Sequence, residues 1–186
     1  MKIAVFVSGG GTNLQNIIDA IQDGSLPNVE ISMVIADRNC LAVERALDVD
    51  IPTYLLEDRK AFSEDAQHNL EGEEIDLIVL AGFLSILSKE FVEKWENKMI
   101  NVHPALLPKY GGKGMYGKKV HEAVLANNEK ESGATVHYVT AGIDEGEIIL
   151  QQAFPIKPGE NVDWLAWRIS QVEKEILIEA IKKLAK

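Results

Sequence analysis

The chain has 186 residues, 46% hydrophobic and 26% charged, with a net charge of -10, which fits a single domain with a substantial core and excludes a disordered chain. The acidity, without any basic stripe, argues against a nucleic-acid or membrane surface. Its one cysteine, Cys40, excludes an intrachain disulfide and a cysteine-rich zinc ligand set.

The opening "MKIAVFVSGGG" has too short an apolar run for a signal peptide or a membrane span, so the cytoplasm is the expected compartment. Lys2 to Val7, "KIAVFV", is β-branched and nearly continuous in apolar residues, as a strand buried on both faces is. After the glycines, Leu14, Ile17, Ile18 and Ile21 recur at helical spacing, and "DGSLPN" stops the run. The rhythm then repeats. "VEISMVIA" reads as a strand, "LAVERALDV" as a helix, "IPTYLL" as a short strand, and "RKAFSEDAQHNLEG" as a helix. Ile75 to Ala81, "IDLIVLA", reads as a third strong strand, followed by a helix over Ser88 to Asn97. This alternation predicts βαβ units in an α/β fold with a doubly wound, mainly parallel sheet. Further on, "GATVHYVT" and "GEIILQQAFPI" predict two antiparallel or mixed strands joined by the turn-prone "AGIDEG". The chain closes on a long helix whose face carries Leu165, Ile169, Val172, Ile176 and Ile181. No repeat, linker or low-complexity tract interrupts the single domain expected over residues 1–186.

Three stretches carry candidate chemistry. In "SGGGTN", Ser8 to Asn13, glycines between a buried strand and a helix let a ligand approach the backbone, and the N–H groups of Gly11, Thr12 and Asn13 face an anion. The stretch is neither a Walker A loop nor the three-glycine dinucleotide fingerprint. Without a ligand, the same residues make a tight turn capped by Thr12 or Asn13. In "NVHPALLPKYGG", Asn101 and His103 sit two apart, so they share a face if Met99 to His103 is a strand. Pro104 and Pro108 then force the chain out as a stiff loop. An imidazole that exchanges protons near neutral pH beside a non-titrating carboxamide suits acyl-type transfer, whereas a capping Asn and a packed His are the structural alternative. Asp144 in "AGIDEGE" has the environment of an ordinary turn residue. His121 on a helix and His137 in "ATVHYV" fit interior or surface positions. No pair of these groups has a metal-ligand spacing, so no metal is expected.

Taken together, "VSGGGTNLQNII", "LAGFLSILS", "NVHPALLPKY", "GATVHYV", "IDEGEIILQ" and "RISQVEKEIL" resemble the phosphoribosylglycinamide formyltransferase family along essentially the whole chain. The resemblance implies a Rossmann-like formyltransferase fold with antiparallel C-terminal strands and a long C-terminal helix. It implies a phosphate-binding half over about residues 1–100, a catalytic half over about 101–186, and no further domain. The implied reaction moves the formyl group of the co-substrate 10-formyltetrahydrofolate to the amine of glycinamide ribonucleotide. It assigns Asn101, His103 and Asp144 to catalysis, with Asp144 orienting His103 and favouring its protonated form. Gly11, Thr12, Asn13 and Glu173 are carried over to the ribonucleotide, and Arg59, Leu84, Ser85, Ile86, Leu87 and Asn101 to the folate. His121 and His137 stand behind them. The oligomeric state is left open, and the remaining alternatives are transfer to another amine, such as a sugar nucleotide, or a non-catalytic nucleotide- or folate-binding domain. Three departures stand out: Ser85 where many relatives have Arg, Ser170 where they have Gln, and the longer, glycine-rich "KYGGKGMYGKKVH".

Overall fold

The computed structural model describes all 186 residues. The elements run β1 (Lys2–Val7), α1 (Thr12–Gln22), β2 (Glu30–Ala36), α2 (Leu41–Leu47), β3 (Thr53–Leu55), α3 (Phe62–Leu70), β4 (Leu77–Leu80), α4 (Lys89–Lys94) and β5 (Met99–His103). They continue with α5 (Lys118–Ala126), β6 (Glu131–Tyr138), β7 (Ile148–Pro155) and α6 (Val162–Leu184). The strands form one sheet in the order β3-β2-β1-β4-β5-β6-β7. The first five are parallel, whereas β5 with β6 and β6 with β7 are antiparallel. The expected doubly wound sheet with an antiparallel flank is therefore present. No helix is long and apolar enough to cross a membrane.

Burial of both sheet faces explains the near-continuous apolar strands. Val5, Val7, Ile100 and Val102 pack with Leu14, Ile17, Leu165, Ile169 and Leu177 from α1 and α6. Ala4, Phe6, Ile78 and Met99 on the other face pack with Phe62, Ala66 and Phe91 from α3 and α4. Phe6 makes edge contacts with Phe62 and Phe83 at ring-centroid distances of 5.9 and 5.6 Å. Direction reverses between β1 and β4: the chain winds outward to β2 and β3, then crosses to β4 and β5. In open α/β sheets a crevice opens at such a switch point, outside the strands' carboxyl ends. Residues 8–13, 81–88 and 104–117 all leave the sheet from that edge.

Two element boundaries differ from expectation for local reasons. The helix expected from Arg59 starts only at Phe62, because the Asp58 carboxylate accepts from the Lys60 and Ala61 N–H groups and holds residues 58–61 as a turn. The helix expected to reach Asn97 ends at Lys94, with Asn97 in the left-handed region at φ 61°.

Gly11 shows how tightly the first turn is specified. Its φ is +72°, and an added Cβ would lie 2.7 Å from both Cα and Cβ of Ala42 on α2. Gly10 has nothing within 4 Å of the same position. Gly11→Ala is expected to destabilise the fold by about 2–4 kcal/mol, combining left-handed strain with overpacking. Gly10→Ala should leave denaturant midpoints nearly unchanged; equal effects of the two substitutions would remove the packing explanation.

Candidate active site

The carboxyl end of β5 delivers Asn101 and His103 to one face, as their spacing predicts. Antiparallel pairing sets Asn101 opposite His137 and His103 opposite Thr135. His137 Nδ1 lies 2.9 Å from the Tyr138 carbonyl. A carbonyl oxygen only accepts, so Nδ1 carries the proton and Nε2 is left to accept. The Asn101 amide nitrogen is 3.1 Å from that Nε2. This orients the carboxamide with NH2 toward His137, leaving its second hydrogen and its carbonyl oxygen for other partners.

His103 is buried, and its Nε2 donates to the Tyr110 carbonyl over 2.8 Å. Its Nδ1 is therefore the nitrogen that titrates, and it faces Asp144 Oδ2 at 3.6 Å. Asp144 Oδ1 stands 3.6 Å from His137 Nε2, and Oδ2 accepts from the Gly112 N–H over 3.0 Å. Asp144 holds a left-handed turn conformation, φ 58°, and uses that turn to aim its carboxylate between two imidazoles. Its neighbours exceed those of a residue serving only the turn.

Two opposed influences act on His103. Burial is the largest influence on His103 and pushes its pKa below the ordinary imidazole value. The Asp144 charge and the Tyr110 carbonyl push upward but do not overcome it, so Asp144 favours the imidazolium without making it dominant. Burial pushes the Asp144 carboxyl up, but the His103 charge and the Gly112 N–H pull it down, and it stays below its usual range. His121 on α5 is buried, with Nδ1 unpartnered; desolvation and then the His103 charge lower its pKa.

The loop after β5 is braced from below. Thr135 Oγ1 accepts from the Leu107 N–H and donates to the Ala105 carbonyl, while the Gln151 amide donates to the Leu107 carbonyl and to Thr135. A cleft of about 450 Å³ beside it is lined by Leu107, Pro108, Gly111, Gly112, Ile143 and Asp144, among others.

At the other end of the edge, α1 starts with no side chain capping its first turn. The alternative in which Thr12 or Asn13 closes that turn is not realised, and the helix N-terminus stays open to an anion. A polar hollow of about 150 Å³ runs from Thr12 along one side of α1, lined by Thr12, Gln15, Asn16, Asp19, Arg45 and Lys174. Arg45 donates from Nε to the Gly10 carbonyl over 2.8 Å, and from Nη1 to Gln15 over 3.3 Å. Glu173 is half-buried on α6, next to Lys174, whose carbonyl accepts from Asn16. Desolvation pushes the Glu173 carboxyl up to about 7.

Leu84 to Leu87 follow β4, whose Leu80 pairs with Asn101, and Leu84 and Ile86 are exposed. Ser85 donates to the Asp37 carboxylate. Arg59 is exposed in the turn after β3, the edge strand, and forms no ion pair. The structure thus gathers Asn101, His103, Asp144 and His137 into one cluster, and puts Gly11 to Asn13 and Leu84 to Leu87 along the same edge. Arg59 stands apart. Sequence reasoning undervalued His137 and missed Arg45, Thr135, Gln151 and the Tyr110 carbonyl. Thr135 and His137, two apart in an alternating strand, were the available signal. No group of three or more His, Cys, Asp or Glu side chains is arranged to hold a metal ion.

The chain is similar to known proteins along nearly its whole length. The formyl transferase family model matches residues 1–181. The chain is 36% identical over 188 residues to the chloroplastic phosphoribosylglycinamide formyltransferase of Vigna unguiculata, covering 98% of this chain and 60% of that protein. It is 38% identical over 179 residues to the trifunctional purine biosynthetic protein adenosine-3 of Drosophila melanogaster, covering 92% of this chain and 13% of that protein. It therefore spans less than two thirds of the length of these curated relatives. Among solved structures, the phosphoribosylglycinamide formyltransferase of Coxiella burnetii superposes with a TM-score of 0.89 at 40% identity, covering 98% of this chain and 85% of that one. Glycinamide ribonucleotide transformylase 1 of Symbiobacterium toebii gives 0.90 at 35%, covering 100% and 87%. The chain belongs to the formyl transferase family, and its sequence and structural matches fall among the phosphoribosylglycinamide formyltransferases.

Proposed function

We propose that the chain transfers the formyl group of 10-formyltetrahydrofolate to the primary amine of glycinamide ribonucleotide, giving formylglycinamide ribonucleotide and tetrahydrofolate. The observation that carries this is the Asn101, His103, Asp144 and His137 cluster at the carboxyl edge that also carries the open start of α1 and the 84–87 segment. The amine nitrogen attacks the formyl carbon, and the carbonyl oxygen becomes an oxyanion. Asn101, with one amide hydrogen held by His137, offers the other to that oxygen. The C–N bond to the folate breaks, the amine loses a proton, and the departing folate nitrogen gains one. His103 Nδ1 is the proposed acid.

The lowered pKa of His103 has two opposed effects. It makes the imidazolium a stronger acid toward the leaving nitrogen, and it reduces the fraction protonated at neutral pH. The Asp144 charge restores part of that fraction. On this proposal Thr12, Asn13 and the start of α1 hold the ribonucleotide phosphate, with Glu173 reaching the rest of that substrate. Leu84 to Leu87 flank the folate ring, and Arg59 meets its glutamate tail.

A formyl-transfer assay with glycinamide ribonucleotide as acceptor tests the activity, run with and without a chelator. Turnover is expected in both, because the proposed steps use only this chain's side chains. Turnover confined to another amine would reassign the acceptor, and loss of activity with the chelator would require a metal.

Asp144→Asn removes the charge that opposes desolvation, so the His103 pKa falls further and the alkaline decline of kcat moves to lower pH. A loss of about 10² to 10⁴ in kcat with nearly unchanged substrate affinity is expected. His103→Asn should be comparably crippled. A fully active Asp144→Asn enzyme with the wild-type pH profile would return Asp144 to the turn alone.

The four glycines of Gly111 to Gly117 give this stretch high backbone freedom. Its anchors near the site are the Gly112 N–H on Asp144 and, just beyond it, Lys118 on Asp163 at 2.9 Å. Hydrogen exchange across it should slow when a ribonucleotide and a folate analogue are both bound. Unchanged exchange would make it a passive surface loop.

A further inference from the structure

Residues 81–88 leave β4 and pass over the carboxyl ends of β1 and β2 toward α3, held at successive points. The Ala81 N–H donates to the Phe6 carbonyl over 3.0 Å, and the Leu84 N–H donates to Ser8 Oγ over 2.8 Å. Ser85 Oγ donates to Asp37 Oδ2 just beyond β2. The Ser88 N–H donates to Ser63 Oγ on α3 over 2.8 Å. Of these contacts, the one from Ser85 ends on a fully buried charge: the Asp37 side chain is 0% exposed.

A buried carboxylate is tolerated only with donors on it. Arg38 supplies two, from Nε at 3.0 Å and Nη2 at 2.9 Å, and Ser85 supplies a third. The Arg38 guanidinium belongs to the next residue and does not tie distant parts of the chain together. Ser85 does, joining the segment after β4 to the end of β2. The bond is charge-assisted, and so stronger than one between neutral groups. Its neighbours Leu84 and Ile86 are 48% and 77% exposed, two large apolar side chains held in water on a pinned backbone.

We propose that Asp37, acting through Ser85, is a positioning residue that fixes Leu84 to Leu87 as a preformed platform for the formyl donor's flat heteroaromatic ring. Fixed N–H and C=O groups read the polar edge of such a ring, and the exposed apolar side chains cover its face. Preorganisation lowers the ordering cost of binding. The inference rests on the folate-dependent activity proposed above.

Ser85→Ala, Ser85→Thr and Asp37→Asn in the whole chain test it, with each substrate varied in turn and amide exchange followed without ligand. Ser85→Ala is expected to raise KM for 10-formyltetrahydrofolate about tenfold, the scale of one lost hydrogen bond to a charged group. KM for the ribonucleotide should stay within about twofold, kcat within about threefold, and exchange across residues 84–87 should accelerate. Ser85→Thr keeps the hydroxyl and should restore both readouts. Asp37→Asn should follow the alanine variant in direction. If the two KM values move together, or neither moves while thermal stability drops, the contact only stabilises the fold and the proposal fails. If the unaltered chain transfers no formyl group, the proposed activity fails, and exchange still decides the clamp: rates unchanged by Ser85→Ala overturn it.

Discussion

The antiparallel register of β5 on β6 is the constraint on which the site depends. It places Asn101 against His137 and His103 against Thr135, so one pairing assembles this polar cluster and braces the loop that follows. A strand has a side-chain period of two, and a slip by one residue would exchange the faces of every member. The apolar residues interleaved with the cluster oppose such a slip. Ile100, Val102, Ala134 and Val136 point into the core shared with α1 and α6, and turning them outward would forfeit their burial. Packing energy on one face of the strand therefore fixes chemistry on the other.

That chemistry is a balance between desolvation and charge. Burial disfavours the charged forms of both His103 and Asp144, and their neighbours offset it unequally. Asp144 stays ionised, since the His103 charge and the Gly112 N–H offset its burial. His103 is not rescued enough to hold its proton as a free imidazole would. The result is a carboxylate that stays charged beside an imidazole that gives up its proton more readily than a free one. The left-handed backbone of Asp144, a conformation rare outside glycine and tolerated by Asp, is part of the cost of putting the anion there.

The sequence disclosed the fold through repetition and the site through proximity along the chain. Apolar strands alternating with helical spacing marked each βαβ unit, because core burial acts on every residue of an element and leaves a periodic trace. Asn101 and His103 were legible for the same reason, being two apart on one strand. His137 was not. Its partners lie 36 residues away on β5 and on the turn that carries Asp144, and its own neighbourhood reads as an ordinary alternating strand. Tyr110 contributes a backbone carbonyl, which no side-chain pattern reveals. The direction of the His103 shift was hidden as well: the sequence names the charge nearby, but only the fold says how much water is lost.

Asp37 and Arg45 show the same division at the other end of the edge. Asp37, just beyond β2, drew no reading from the sequence, yet it is a buried charge receiving donors from Arg38 and Ser85. Arg45 is one residue of a predicted helix, yet it reaches back to the Gly10 carbonyl and lines the hollow beside α1. In a chain of net charge -10, long-range attraction for an anion is unfavourable, so any anion that binds must be held by local fields. The uncapped N–H groups of α1, with Arg45 and Lys174 beside them, supply such a field over a few ångströms, within the range where salt screens least. Local convergence of dipole and cation takes the place of global charge, and it arises only when α1, α2 and α6 are packed together.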